Sequence, residues 1–110
     1  MARARRFSVR LLKLTAQLLR DPLLPRRLVE QLASAGTAIG NNIAEAQTAT
    51  SRKQMANAYA IALREGKEAR HQLEVLRDLG KGDRAEMQWL IGEADEFVAM
   101  PYVSVRQLRP

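Results

Sequence analysis

Apolar residues recur along this chain at alternating steps of three and four, the period of one face of an α-helix. In the first segment Phe7, Leu11, Leu14 and Leu18 hold that spacing, and Val9, Leu12, Ala16 and Leu19 widen the face. The stretch "DPLLP" ends the segment, with Pro22 and Pro25 as breakers. Pro25 is also suited to open a second helix, because its fixed φ and missing N–H fit a first-turn position. There Val29, Leu32, Gly36, Ile39, Ile43 and Ala46 continue the rhythm. After "TATS", where Thr50 or Ser51 is a candidate N-cap, Met55, Tyr59, Ala62, Gly66, Ala69, Leu73 and Leu76 keep the same steps. "LGKGD" closes this third segment, with Gly80 as a C-terminal cap and Asp83 as the next N-cap. Met87, Leu90, Ile91, Ala94, Phe97 and Val98 face inward from a fourth, which Pro101 is expected to kink or stop. The spacing predicts helices over 6–20, 26–48, 51–79 and 83–100, with a tail over 101–110. No stretch alternates in the manner of a strand. Short loops between long helices predict an all-α, antiparallel up-down-up-down four-helix bundle in one domain, residues 1–110.

Composition agrees with a bundle: of 110 residues 46% are apolar, only 5% are aromatic, and none is cysteine. Such a chain is long enough to bury a core without disulfides. The lack of thiols suits a reducing, cytoplasmic setting, which is the expected localisation. No apolar run approaches the roughly 18 residues of a membrane span. The opening "MARARRFSVRLLKLTAQLL" is not read as a signal peptide, since Arg10 and Lys13 interrupt its apolar part and no small-residue cleavage site follows.

One stretch breaks the local rules. "SAGTAIGNNIAEA", residues 34–46, places Gly36 and Gly40 inside a helix, at about 1 kcal/mol each relative to alanine. Small residues also stand at Ala62, Gly66 and Ala69 in the third helix. The expected reason is a close approach of the second and third helices, whose axes then come nearer than the usual 8–10 Å or so; a flexible hinge is the alternative. Asn42 and Glu45 lie near the buried face, where an unpaired polar group costs roughly 1–3 kcal/mol. They are expected to form a polar lock on register, with Arg64, Glu68 and Arg70 as partners, rather than a catalytic pair.

Charge is placed unevenly. The chain carries 18 Lys and Arg against 12 Asp and Glu, net +6, and residues 1–27 hold eight of the cations against Asp21 alone. On the first helix Arg3, Arg6, Arg10, Lys13, Gln17 and Arg20 recur at steps of 3, 4, 3, 4, 3, within an arc of about 100°. The remaining arc is largely apolar, wide enough for both the bundle and a neighbouring subunit. Arg26 and Arg27 start the next helix, and Arg106 and Arg109 add two charges near the C-terminus. A solvated face usually mixes signs, as Arg64, Glu65, Lys67, Glu68 and Arg70 do. An unmixed basic stripe attracts a phosphate backbone by counterion release, with little sequence preference. Phe7 is the one aromatic near it, so duplex DNA or structured RNA fits better than stacking on unpaired bases. A solubility face is the plain alternative. A helix lying on anionic lipid is the third, disfavoured because the leucines are needed in the bundle.

Catalytic and metal chemistry find little support. His71 is the single histidine, on a polar flank and expected to face solvent. No His, Cys and carboxylate set has metal-ligand spacing, no Ser–His–Asp arrangement is evident, and no strand precedes a glycine-rich loop. No cofactor is expected. Trp89 is expected at a bundle edge or subunit contact, where its N–H stays wet.

Taken together, the segment from Thr37 to Gly80 resembles the family of 23S rRNA-intervening-sequence proteins, which includes the accessory protein of diversity-generating retroelements. The resemblance lies in a small-residue helix leading into Asn42, Ile43, Ala44 and Glu45. It continues through Ile61, Ala62 and Leu63, then Glu68, then Gln72, Leu73 and Glu74, then Leu79 and Gly80. More loosely it spans Arg6 to Val98. The chain departs from the pattern at Ala46, where relatives have glycine, at Arg64 and Glu65, where they often have a small pair, and at Pro101. The resemblance implies an antiparallel four-helix bundle, a ring-like homopentamer and no enzymatic activity. For the retroelement branch it implies binding to nucleic acid and to a reverse transcriptase, and for many other members it implies no established function.

The expectation is therefore a non-catalytic, oligomeric binding or scaffold protein that contacts RNA or DNA through Arg3, Arg6, Arg10, Lys13, Arg20, Arg26, Arg27, Arg106 and Arg109. Gly36, Gly40, Asn42, Glu45, Gly66 and Glu68 are expected to be structural. The alternative is a structural or protein-interaction oligomer that binds no nucleic acid and meets an acidic protein partner.

Overall fold

Four helices run in sequence in the computed structural model: α1 Ala2–Leu18, α2 Arg26–Gln47, α3 Arg52–Asp78 and α4 Arg84–Leu108. The structure describes the backbone of residues 2–108 and the side chains of residues 2–99. No strand occurs among the described residues. α3 packs closely against both α2 and α4; α1 lies against α2 and approaches α4 more distantly. Short connections at both ends make successive helices antiparallel.

The caps explain where the helices stop. Ser51 accepts a hydrogen bond from Gln54 N–H, and the Gln54 side chain reaches back to Thr50 N–H at 3.0 Å. This satisfies donors that a helix start otherwise leaves bare. α3 ends in a Schellman arrangement: Gly80 N–H bonds Arg77 C=O and Lys81 N–H bonds Leu76 C=O, both at 2.9 Å. Gly80 holds φ +74° there, a conformation that suits glycine. Asp83 caps α4 by accepting from Glu86 N–H at 3.0 Å. The two loops at this end are clipped together by Lys81 and Asp21, 2.8 Å apart.

The apolar stripes converge as their spacing requires. Phe7, Leu11, Val29, Leu32, Ile39, Leu73, Leu76, Met87, Leu90 and Phe97 are fully enclosed. Each such side chain contributes about 1.5–3 kcal/mol on burial. Phe7 and Phe97 meet edge to face, their centroids 5.4 Å apart, which ties α1 to α4 across the bundle.

Several expectations are corrected. Val9, Leu12, Ala16 and Leu19 do not widen the buried face: they are exposed. α1 starts at Ala2 and ends at Leu18. α4 continues to Leu108, so Pro101 does not end it; the proline removes a single backbone donor, and the turns on either side carry the helix across. The glycines also meet other helices than expected. A Cβ on Gly36 would overlap Leu11 Cδ2, and one on Gly40 would sit 3.4 Å from Ala4 Cβ, so both glycines admit α1. A Cβ on Gly66 would sit 3.3 Å from Val98 Cγ2, so this glycine admits α4. The expected close packing of α2 against α3 is present, but the glycines themselves open the α1–α2 and α3–α4 seams. Nor is the expected polar lock seen among the described residues. Asn42 Nδ2 donates to Ala38 C=O one turn back in its own helix at 2.8 Å, Glu45 is exposed, and so is Glu68. The amide is satisfied locally and no partner from α3 is required.

Candidate nucleic-acid interface

The surface of α1 divides into three sectors. One faces the core through Ala4, Phe7, Leu11, Leu14, Thr15 and Leu18. A second, on the α2 side, is exposed and apolar, with Val9 at 46%, Leu12 at 43% and Leu19 at 36% exposure. The third carries the basic stripe, and its edge toward α4 is where the structure departs from the simple pattern.

Two of the stripe's arginines are bound within the molecule. Arg3 donates to Glu93 through Nε at 2.7 Å and Nη2 at 3.2 Å, and its guanidinium lies 5.9 Å from the centre of the Phe97 ring. Arg10 donates to Glu86 through Nε at 2.8 Å and Nη2 at 2.6 Å, while its guanidinium stacks 3.6 Å from the centre of the Trp89 ring. Both contacts are forked, which is the geometry in which arginine binds a carboxylate most strongly. The hydrogen bonds to Glu93 and Glu86 push the two guanidinium groups above their ordinary pKa. The signs that α1 keeps separate along its own length are mixed across the α1–α4 seam.

The outer cations are left open. Arg5, Arg6, Lys13, Arg20 and Arg27 are exposed and have no ion-pair partner among the described residues. Arg6 and Lys13 stand seven residues apart, about 10.5 Å along the axis, and Arg20 follows in the turn beyond the helix. Arg26 pairs with Glu30 one turn on, at 3.1 Å. Arg106 and Arg109 lie outside the described side chains. The open part of the α1 stripe is therefore Arg6, Lys13 and Arg20, with Arg27 open at the start of α2; Arg5 is open as well but stands on the α2 side, beside Ser8, Thr37 and Gly40.

Glu86, Trp89 and Glu93 are the residues that pattern reading missed in this role. Their signal is a seven-residue step on α4 that matches, in the opposite direction, the step from Arg3 to Arg10. His71 is exposed, as expected, and Trp89 sits half-buried at the α1–α4 edge. Glu65, half-buried on α3, is pushed above the usual carboxylate range by burial and by Glu68 beside it. A depression of about 710 Å³ at the α3–α4 turn is rimmed by Arg77, Lys81 and Arg84, but Asp78 and Asp21 already engage the first two. Among the described residues no helix is long and apolar enough to cross a membrane, and no group of three or more His, Cys, Asp or Glu side chains is placed to hold a metal ion.

Comparison with known proteins adds the following. The family model described as 23S rRNA-intervening sequence protein matches residues 1–102. A crystal structure of a protein of unknown function from the S23 ribosomal protein family of Bacteroides thetaiotaomicron is similar to this one, with a TM-score of 0.84 and 27% identity. The similarity covers 94% of this chain and 95% of that one. No curated protein matches the chain.

Proposed function

The chain belongs to the 23S rRNA-intervening sequence protein family, and from the surface of α1 we propose that it is a non-catalytic, self-associating bundle that binds nucleic acid by its phosphates. The observation that carries this reading is the line of open cations, Arg6, Lys13 and Arg20, with Arg27 at the start of α2 and Arg5 on the α2 side. Nothing of opposite sign on the described surface neutralises them, and their spacing suits contact with a duplex or a structured RNA rather than with stacked single bases. The exposed leucines next to the line supply a contact for further copies of the chain, and a ring of copies would repeat the cationic line around its surface. In the retroelement setting that the resemblance reaches, a reverse transcriptase shares the same nucleic acid and is the proposed protein partner, in the cytoplasm.

Fluorescence anisotropy with a structured RNA and a DNA duplex tests the reading. Binding is expected to weaken steeply between roughly 50 and 200 mM salt and to disappear when Arg6, Lys13 and Arg20 are changed to Gln. Absence of binding at low salt overturns it. One observation favours a second reading, a protein-interaction oligomer without nucleic acid: Leu23, 80% exposed, extends the apolar sector into the α1–α2 loop. Loss of self-association on mutating that sector, with no nucleic-acid binding at any salt, would favour this second reading.

A further inference from the structure

The forked contacts of Arg3 and Arg10 have the form a phosphate would take. A carboxylate and a phosphate both present two oxygens to the guanidinium fork. Glu86 and Glu93 stand two turns apart on α4, and each meets the cation two turns apart on the antiparallel α1. The seam is open enough to admit a competitor: side chains of Arg10 and Glu86 are 36% and 29% exposed, those of Arg3 and Glu93 37% and 16%. Here α1 meets α4 through long side chains rather than close backbone packing. Along α1, Arg10 lies between the open cations Arg6 and Lys13, and Arg3 lies one turn before Arg6, so a ligand seated on Arg6 and Lys13 passes beside Arg10 and can reach Arg3.

We infer that Glu86 and Glu93 act as internal competitors for ligand phosphate, withholding Arg10 and Arg3 and so limiting the affinity of the α1 surface. The inference rests on the phosphate-binding reading of α1 and adds its regulation. Trp89 is part of the device: its ring covers one face of the Arg10 guanidinium, so the arginine keeps a partner when its carboxylate is displaced. The same geometry makes Trp89 a reporter, since it is the one tryptophan in the chain.

The test is anisotropy titration of the full chain with an RNA duplex and with a DNA duplex across a salt series. The double variant Glu86→Gln with Glu93→Gln is compared with Glu45→Gln with Glu68→Gln, which removes the same charge from exposed acids outside the seam. Glutamine keeps the size and a hydrogen-bonding oxygen, and circular dichroism melting confirms that both variants remain helical. The seam variant is expected to bind roughly tenfold tighter, with a log affinity against log salt slope steeper by about 1.8 for two added phosphate contacts. Its Trp89 emission is expected to change on binding. The control variant is expected to shift affinity by less than about threefold with the slope unchanged.

Equal shifts in the two variants overturn the inference, because net charge alone then accounts for them. So does an unchanged seam variant beside a wild type that binds, which leaves the α1 reading standing. Binding by the seam variant but not by the wild type supports the inference and overturns the reading that the unmodified surface binds. Binding by neither overturns both.

Discussion

The guanidinium of Arg10 lies 3.6 Å from the centre of the Trp89 ring while its Nε and Nη2 donate to Glu86. One side chain thus meets an aromatic face and a carboxylate on the same helix, three residues apart. Replacing Arg10 by Ala removes both, and by Lys it removes the stack and the fork while keeping the charge. We expect a red-shifted Trp89 emission in either variant and a melting temperature lower by a few degrees, more for Ala than for Lys. An emission spectrum identical to that of the wild type would show that the stack does not persist in solution.

The glycines of the α1–α2 and α3–α4 seams are predicted to behave differently. At Gly36 a Cβ overlaps Leu11 Cδ2 and lies 3.2 Å from Leu11 Cγ, inside a fully enclosed part of the core. Overpacking of about 1–3 kcal/mol then outweighs the roughly 1 kcal/mol that alanine gains as a helix former, and Gly36→Ala should lower stability. At Gly66 the nearest atom is Val98 Cγ2 at 3.3 Å, with backbone no closer than 3.9 Å. A shift of a few tenths of an ångström accommodates alanine, and Gly66→Ala should be near neutral. Gly66→Leu should be strongly destabilising and should be partly rescued by Val98→Ala, because the two positions share one gap. Urea titrations of the single and double variants check this; rescue by shortening an α2 side chain instead would return the contact to the α2–α3 seam.

Phe7 and Phe97 join the outermost helices of the chain in a contact with no solvent access. Phe97→Ala should cost about 3–5 kcal/mol, a loss measurable by denaturant titration and larger than that of any exposed α1 cation. A small loss would mean that α4 repacks around the vacancy.

Much of this architecture was written into the residue pattern, and what was not has a common cause. Phe7, Leu11, Leu14 and Leu18, or Ala62, Ala69, Leu73 and Leu76, declare a buried face because a helix repeats every 3.6 residues wherever it sits. Ser51, Gly80 and Asp83 declare helix ends because caps act within four residues. The partner of a helix face is not local information. Gly36 meets Leu11 and Gly66 meets Val98 only once the order of helices around the bundle is set. Arg10 and Glu86 are 76 residues apart, so a stripe that is unmixed in sequence is partly neutralised in space. Asn42 erred the other way: its amide needed no long-range partner, because the carbonyl of Ala38 was within reach. Val9, Leu12 and Leu19 carry the right residue type for a core, and only the position of α2 shows that they face outward.

Two carboxyl groups predict opposite responses to pH. Lys81, by hydrogen bonding, and the N–H of Leu23 hold Asp21 below the usual carboxylate range. A depressed folded-state pKa means stability that is present above the ordinary value and lost as pH falls through the depressed one. Glu65 is raised, chiefly by burial, so its charged form detracts from folding at neutral pH and the penalty fades as acid protonates it. Asp21→Asn should therefore melt lower than wild type at neutral pH and converge with it in strong acid. Glu65→Gln should melt higher at neutral pH and converge at mildly acidic pH. Melting curves across the acid range decide both, and parallel displacements at every pH would remove protonation as the cause.

The exposed apolar sector of α1 carries the last prediction. Val9, Leu12 and Leu19 lie on one side of a helix whose opposite side already completes the core, so a charge there leaves the bundle intact. A Leu12→Glu, Leu19→Glu variant should keep its helical content and thermal midpoint in dilute solution, where each chain is alone. If these leucines seat a neighbouring copy, light scattering after size exclusion should give a multiple of the chain mass for the wild type and the single-chain mass for the variant. An anion-binding surface on repeated subunits gains by multivalency, so the same variant should also bind a long duplex more weakly than wild type while binding a short one equally well. An unchanged mass would place the self-association surface elsewhere and leave the leucines to a different protein partner.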